Sequence, residues 1–98
     1  MLPLQRKTST PRSRGKIICD ACYATVPPGI TYRRDVWRDG THHFSIRYCP
    51  ECWLILDEVE EATQPEYGGP DANQYEQWAA DNIHEHRAQA WALRAFPE

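Results

Sequence analysis

Apolar and polar positions change their period several times along the chain, and each change marks a boundary. Residues 1–15 show no apolar period. They are rich in Pro, Ser, Thr and Arg, the composition of a disordered arm. Lys16-Ile17-Ile18 is a short strand. Val26-Pro27-Pro28-Gly29 is a turn, because neither proline can donate to a ladder. From Ile30 to Tyr48 the pattern alternates as a β-hairpin does, with apolar Ile30, Tyr32 and Val36 in one strand and Phe44, Ile46 and Tyr48 in the other. A two-residue Asp39-Gly40 turn would split these residues between two faces. A three-residue loop, Arg38-Asp39-Gly40, pairs Trp37 with Thr41 and gathers them on one face. The sequence therefore predicts that loop, with Gly40 at positive φ.

In that register the opposite face is polar. It sets Thr31, Arg33, Asp35 and Trp37 against Thr41, His43, Ser45 and Arg47. Trp37, Arg33 and Arg47 are candidate partner-binding residues there, because exposed Trp and Arg carry binding energy.

After Tyr48 the period becomes helical. Pro50 suits the first helical position, which places Cys49 at the N-cap. Cys52, Ile55, Leu56, Val59 and Ala62 form a stripe that predicts one helix covering the hairpin. Asp57, Glu58, Glu60 and Glu61 occupy its other sides. Residues 64–70, with Pro65 and Gly68-Gly69-Pro70, read as a flexible linker. Residues 71–96 read as a second, longer amphipathic helix. Asp71 or Asn73 caps it, with Gln74 or Glu76 completing a capping box. Its stripe is Tyr75, Ala79, Ile83, His86, Ala90 and Leu93, flanked by Trp78, Trp91 and Phe96.

Cysteine spacing supplies the chemistry. All four cysteines stand in two C-x2-C pairs, Cys19-Asp20-Ala21-Cys22 and Cys49-Pro50-Glu51-Cys52, with 26 residues between them. Two such pairs at this separation bring four thiolates to one tetrahedral ion. The ligand set is Cys19, Cys22, Cys49 and Cys52, and the implied cofactor is one structural Zn2+. Four thiolates close the coordination shell, which argues against a catalytic metal. The start of the chain has no apolar signal-peptide stretch, and no run of 18 apolar residues occurs, so a cytoplasmic location with reduced thiols is expected.

Size agrees with this. The chain has 98 residues, 41% of them hydrophobic, so its core is small and a metal is a natural supplement. The net charge of −3 is unevenly spread. Arg6, Lys7, Arg12, Arg14 and Lys16 lie in the first 16 residues, and all 14 acids follow.

The order C-x2-C, hairpin, then C-x2-C at a helix start resembles a treble-clef zinc finger over residues 16–63. The segments Cys-Asp-Ala-Cys, Val-Pro-Pro-Gly-Ile-Thr-Tyr-Arg-Arg and Tyr-Cys-Pro-Glu-Cys are also similar to small zinc proteins of bacteriophages and bacteria. The resemblance implies a small α+β fold: a zinc knuckle at Cys19 and Cys22, a hairpin, and a helix whose first turn supplies Cys49 and Cys52. It implies a viral or bacterial source and fixes no function, since treble clefs include binding modules, ribosomal proteins and nucleases.

Other chemistries on this pattern fit less well. The His-based nucleases of treble-clef kind resemble this chain at His42 and His43, but the segment Cys52–Ala62 holds no His or Asn. A thioredoxin-like reading of Cys49 and Cys52 lacks the βαβ context. Rubredoxin-like iron knuckles carry Gly after the second Cys, where this chain has Tyr23 and Trp53. His84 and His86, two apart on a helix, face different ways.

Catalytic groups are missing from the pattern, so the leading expectation is a non-enzymatic protein-interaction module, an adaptor or inhibitor. Trp78, Trp91 and Phe96 of the last helix, with Trp37, would meet a protein partner or a second copy. The alternative is a nucleic-acid-binding module using Arg6, Lys7, Arg12, Arg14 and Lys16 with Arg33 and Arg47.

Overall fold

A computed structural model describes residues 4–97. It is a small α+β protein. The strands are β1 (Gln5–Ser9), β2 (Ile17–Ile18), β3 (Thr25–Val26), β4 (Arg33–Asp39) and β5 (His42–Tyr48). The helices are α1 (Pro50–Leu54), α2 (Leu56–Thr63), α3 (Ala72–Asp81) and α4 (His86–Ala95). The main sheet is antiparallel, in the order β1-β4-β5. A small β2-β3 ladder holds the first cysteine pair at its tip.

Residues 5–9 are not disordered but form β1, paired with β4 from Gln5↔Arg38 to Ser9↔Arg34. The register continues to an isolated bridge between Arg12 and Thr31, and Ser13 is buried beside it. The cause is a partner invisible to local pattern: Arg6 of β1 neutralises a carboxylate buried under β4.

The hairpin register also differs from the expected one. Asp39 pairs with His42, Trp37 with Phe44, Asp35 with Ile46 and Arg33 with Tyr48, so the loop is the two residues Gly40-Thr41. Gly40 has φ +60°, as expected for a tight hairpin. The even positions of β5 do face inward. On β4, however, the odd positions do so: Asp35 is fully buried and Trp37 is 9% exposed. Trp37 is therefore a core residue and not an exposed anchor. The apolar pattern of β4 misleads because its buried set includes a charged Asp35.

The predicted helix over Cys52–Ala62 is divided at Ile55 into α1 and α2. Its stripe survives the break, with Cys52, Ile55, Leu56 and Val59 all buried, while Ala62 is exposed. Cys49 is the N-cap and Pro50 the first helical residue, as expected.

The long helix over 71–96 is instead two helices, α3 and α4, joined by residues 82–85. Trp78 and Trp91 are 13 residues apart. At about 100° per residue they would point about 140° apart on one straight helix. The break turns both into one core, where each is 2% exposed. Asn82 makes the stop, donating its side-chain amide to the Trp78 carbonyl at 2.7 Å. The buried stripe is Tyr75, Trp78, Ala88 and Trp91. Ile83, His86 and Leu93 of the expected stripe are exposed. The expected capping box forms, between Asp71 and Gln74.

Residues 64–70 are packed rather than a loose linker. The Tyr48 hydroxyl donates to the Pro70 carbonyl at 2.6 Å, and Gly69 and Pro70 are buried. Gly68 has φ +86°, the left-handed region, and a Cβ there would stand 2.9 Å from the Phe44 ring, so the position favours Gly.

Candidate functional site

The four cysteines meet. Cys19 and Cys22 stand on the turn between β2 and β3, and Cys49 and Cys52 on the first turn of α1. All four are buried and unpaired, with their sulfurs within 4.8 Å of one another. The Cys22 and Cys49 sulfurs are 3.7 Å apart. That is far longer than a disulfide bond of about 2.05 Å. Sulfurs held about 2.3 Å from a zinc ion span tetrahedral edges of about 3.8 Å, so the spacing suits a metal ion.

The surroundings suit one too. The backbone N–H of Ala21 and that of Cys49 donate to Cys19 Sγ at 3.4 and 3.3 Å. From α4, Arg94 Nη2 donates to Cys52 Sγ at 3.7 Å. Within the cluster the thiols oppose one another. Hydrogen bonding with Cys19 first, then Cys49 and Cys52, holds the Cys22 thiol far below its usual range. The neighbouring Cys19, Cys22 and Cys49 push the Cys52 thiol far above it. The four do not ionise together unless a cation supports the charge. These donors therefore fit a structural metal site.

The C-terminal helices lock onto this centre. Tyr75 donates its hydroxyl to the Cys52 carbonyl at 2.7 Å, and Trp91 Nε1–H donates to the Ala21 carbonyl at 3.2 Å. Trp78 and Trp91 are thus spent on the core. Phe96 remains 59% exposed, edge-on to Trp91 with ring centroids 6.0 Å apart.

Under the main sheet lies a buried ionic cluster. Asp35 accepts from Arg6 at 2.8 and 3.0 Å, from Arg33 at 2.9 Å and from the Thr8 hydroxyl at 2.9 Å. Arg6 also reaches Glu60 of α2 at 3.2 Å, and its guanidinium lies 4.8 Å from the centre of the Trp37 ring. Burial alone would raise the Asp35 pKa. Arg33, Arg6 and Thr8 outweigh it and hold the carboxyl below its ordinary value. Arg6 and Arg33 are therefore internal partners and not free for a ligand.

The outer face of the sheet is the second candidate site. Strand pairing puts Lys7 and Ser9 of β1, Arg34 and Arg38 of β4, and His43, Ser45 and Arg47 of β5 on it. Gln5 and Val36 complete the face, which holds no carboxylate. Lys7, Arg34, Arg38, His43 and Arg47 are all exposed. None forms an ion pair with another described residue.

Arg34 stands directly opposite Arg47. Arg47 directs its N–H to Asp20 Oδ2 at 2.7 Å and its carbonyl to the Asp20 N–H at 2.8 Å, both away from β4. The Arg34–Arg47 pair is thus the non-hydrogen-bonded type, in which side chains sit closest. Like charges opposite one another destabilise a sheet. The expected arm residues Arg12, Arg14 and Lys16 are exposed in the connection between β1 and β2. The expected register put Arg34 on the inner face and Arg38 in the hairpin loop, whereas both stand on the outer face of β4. The signal that finds them is charge alternation: Gln5-Arg6-Lys7 and Arg33-Arg34 each send one cation inward and one outward.

No described helix is long and apolar enough to cross a membrane. No family model, no curated protein and no solved structure matches this chain.

Proposed function

We propose that this chain is a non-enzymatic, zinc-stabilised module that binds nucleic acid through the outer face of β1-β4-β5. One observation carries the reading. Lys7, Arg34, Arg38 and Arg47 share that face with no acid among them, and Arg34 and Arg47 are held opposite each other at a cost in stability. An array that the fold does not use, and that repels itself, is relieved by phosphate. Trp37 takes no part, since it lies in the core.

In this reading the four-cysteine centre is scaffold. A zinc ion would supply the charge that lets four thiolates coexist and would tie β2-β3 to α1. The order of knuckle, hairpin and cysteine-capped helix supports a treble-clef-like arrangement of residues 16–63.

The test is a salt titration of oligonucleotide binding by fluorescence anisotropy. Four phosphate contacts predict that log K falls against log salt with a slope of about −3. Absence of binding at low salt overturns the reading.

A second reading, a protein-interaction module of phage or bacterial kind, is favoured by the exposed Ile83 and Phe96. They flank an apolar hollow of about 250 Å3 between α3 and α4. Ile83→Glu and Phe96→Glu leaving both solution mass and partner recovery unchanged would remove it.

A further inference from the structure

The basic face runs onto a second feature at the free edge of the sheet. β5 is an edge strand. Asp20 covers that edge at Arg47, taking both its N–H and its carbonyl. Two residues earlier, Ser45 points the same way, because backbone direction repeats every second residue. Its N–H and carbonyl have no partner among the described residues. They face a cleft of about 490 Å3, lined by Tyr23, Phe44, Tyr67, Asp20 and Asn73 along with Ser45.

Two rings in this cleft are held ready and left open. Tyr67 is 56% exposed. It stacks on Phe44 with centroids 5.2 Å apart and planes 23° apart, and its hydroxyl donates to Asp39 Oδ2 at 3.1 Å. Tyr23 is 66% exposed and has φ +63°, the left-handed region. A bulky side chain there costs on the order of 1 kcal/mol or more, and Gly would adopt the same backbone without strain. The knuckle needs that backbone because Tyr23 N–H closes it on the Cys19 carbonyl at 2.8 Å. The ring is two-thirds exposed, so the strain points to a use outside the fold.

We infer that this cleft holds an unpaired nucleobase, so that the ligand of the basic face is single-stranded. The base stacks on Tyr23 and Tyr67, and its hydrogen-bonding edge meets the free N–H and carbonyl of Ser45 and the side chain of Asn73. The flanking phosphates lie on Arg47, two residues beyond Ser45 along β5, and on Arg34, which stands opposite Arg47 on β4. A duplex keeps its bases stacked inside and cannot use the cleft. This inference rests on the phosphate-binding reading of the outer face.

The experiment compares full-length, zinc-loaded protein and its variants on labelled single-stranded oligo-dT, oligo-U and a duplex of equal length. Wild type should prefer the single strands to the duplex, and the stronger of the two identifies DNA or RNA as the source. Tyr23→Gly should melt no lower than wild type, because it relieves the left-handed strain. It should nevertheless lose at least about fivefold in single-strand affinity, with duplex binding unchanged. Tyr67→Leu should lose a similar factor, and Tyr23→Phe should restore stacking. Single-strand binding unaltered in both Tyr23→Gly and Tyr67→Leu overturns the inference. Salt-dependent duplex binding in that case leaves the basic-face reading standing. No binding of any of the three probes at low salt overturns both.

Discussion

Trp91 Nε1–H donates to the carbonyl of Ala21, 3.2 Å away across 70 residues of chain. Ala21 lies between Cys19 and Cys22, so the last helix is anchored inside the metal knuckle. Trp91→Ala removes a fully enclosed indole and leaves that carbonyl without its donor. The expected loss is about 3–5 kcal/mol, read from urea denaturation of the metal-loaded protein. A loss below about 1 kcal/mol would mean that α4 is a loosely attached appendage.

Arg94 acts on the same centre by charge. Four thiolates around a divalent ion carry a net double negative charge, and among the described residues Arg94 is the cation that reaches them, at Cys52 Sγ. Burial disfavours its charge, yet the hydrogen bond to Cys52 prevails and its pKa is raised. Arg94→Ala should weaken metal retention by about tenfold in competition with a chromophoric chelator. Arg94→Lys should recover part of that loss. Equal retention in all three proteins would contradict the role.

Metal removal should unfold more than the knuckle. The β2-β3 ladder is two residues long on each strand, and α1 spans five residues. Neither element persists alone at that length. Chelation under reducing conditions should abolish the near-ultraviolet signal of the buried tryptophans, and one equivalent of zinc should restore it. Native mass of the reduced, loaded protein should show one zinc per chain.

Asp35 sets a pH dependence. Its folded pKa lies below its unfolded value, so it contributes stability that is fully present above the unfolded value, near 4, and fades as pH falls through the folded one. Asp35→Asn keeps the shape and removes the charge between Arg6 and Arg33. Breaking a buried pair in this way costs about 3–5 kcal/mol. With zinc in excess, the gap between wild type and variant should be constant from neutral pH to about 5 and shrink below the unfolded value. A gap that widens with acid would reverse the assignment.

The Arg34–Arg47 opposition separates stability from binding. Arg34→Gln removes a like-charge contact and should raise the denaturation midpoint. The same change should reduce the salt slope of oligonucleotide binding by about one. A drop in stability would mean that Arg34 serves the fold.

How far the sequence reaches depends on the range of each force. The cysteine ligands, the cap at Cys49, Pro50 at the first helical position, the Asp71–Gln74 box and the positive φ of Gly40 were all legible. Each depends on residues a few positions apart or on a spacing specific to metal ligation. The buried stripe of Cys52, Ile55, Leu56 and Val59 was legible for the same reason.

The sheet was not. Alternation in β4 admits two faces, and apolar content favours the one with Tyr32 and Val36. The fold chose the face with Asp35 and Trp37 because Arg6, 29 positions upstream, returns to neutralise the carboxylate. That ion pair also made a strand of the arm.

By itself, the sequence determined a four-thiolate centre, a hairpin leading into a cysteine-capped helix, and a helical C-terminal segment. Only the tertiary structure decided where that segment breaks, which face of β4 is inside, and that four cations and two open tyrosines lie along one sheet and its edge. Local propensity and ligand spacing act within a turn or along a strand. The register of a sheet and the direction of a tryptophan are settled by burying charge and indole against residues far away in the chain.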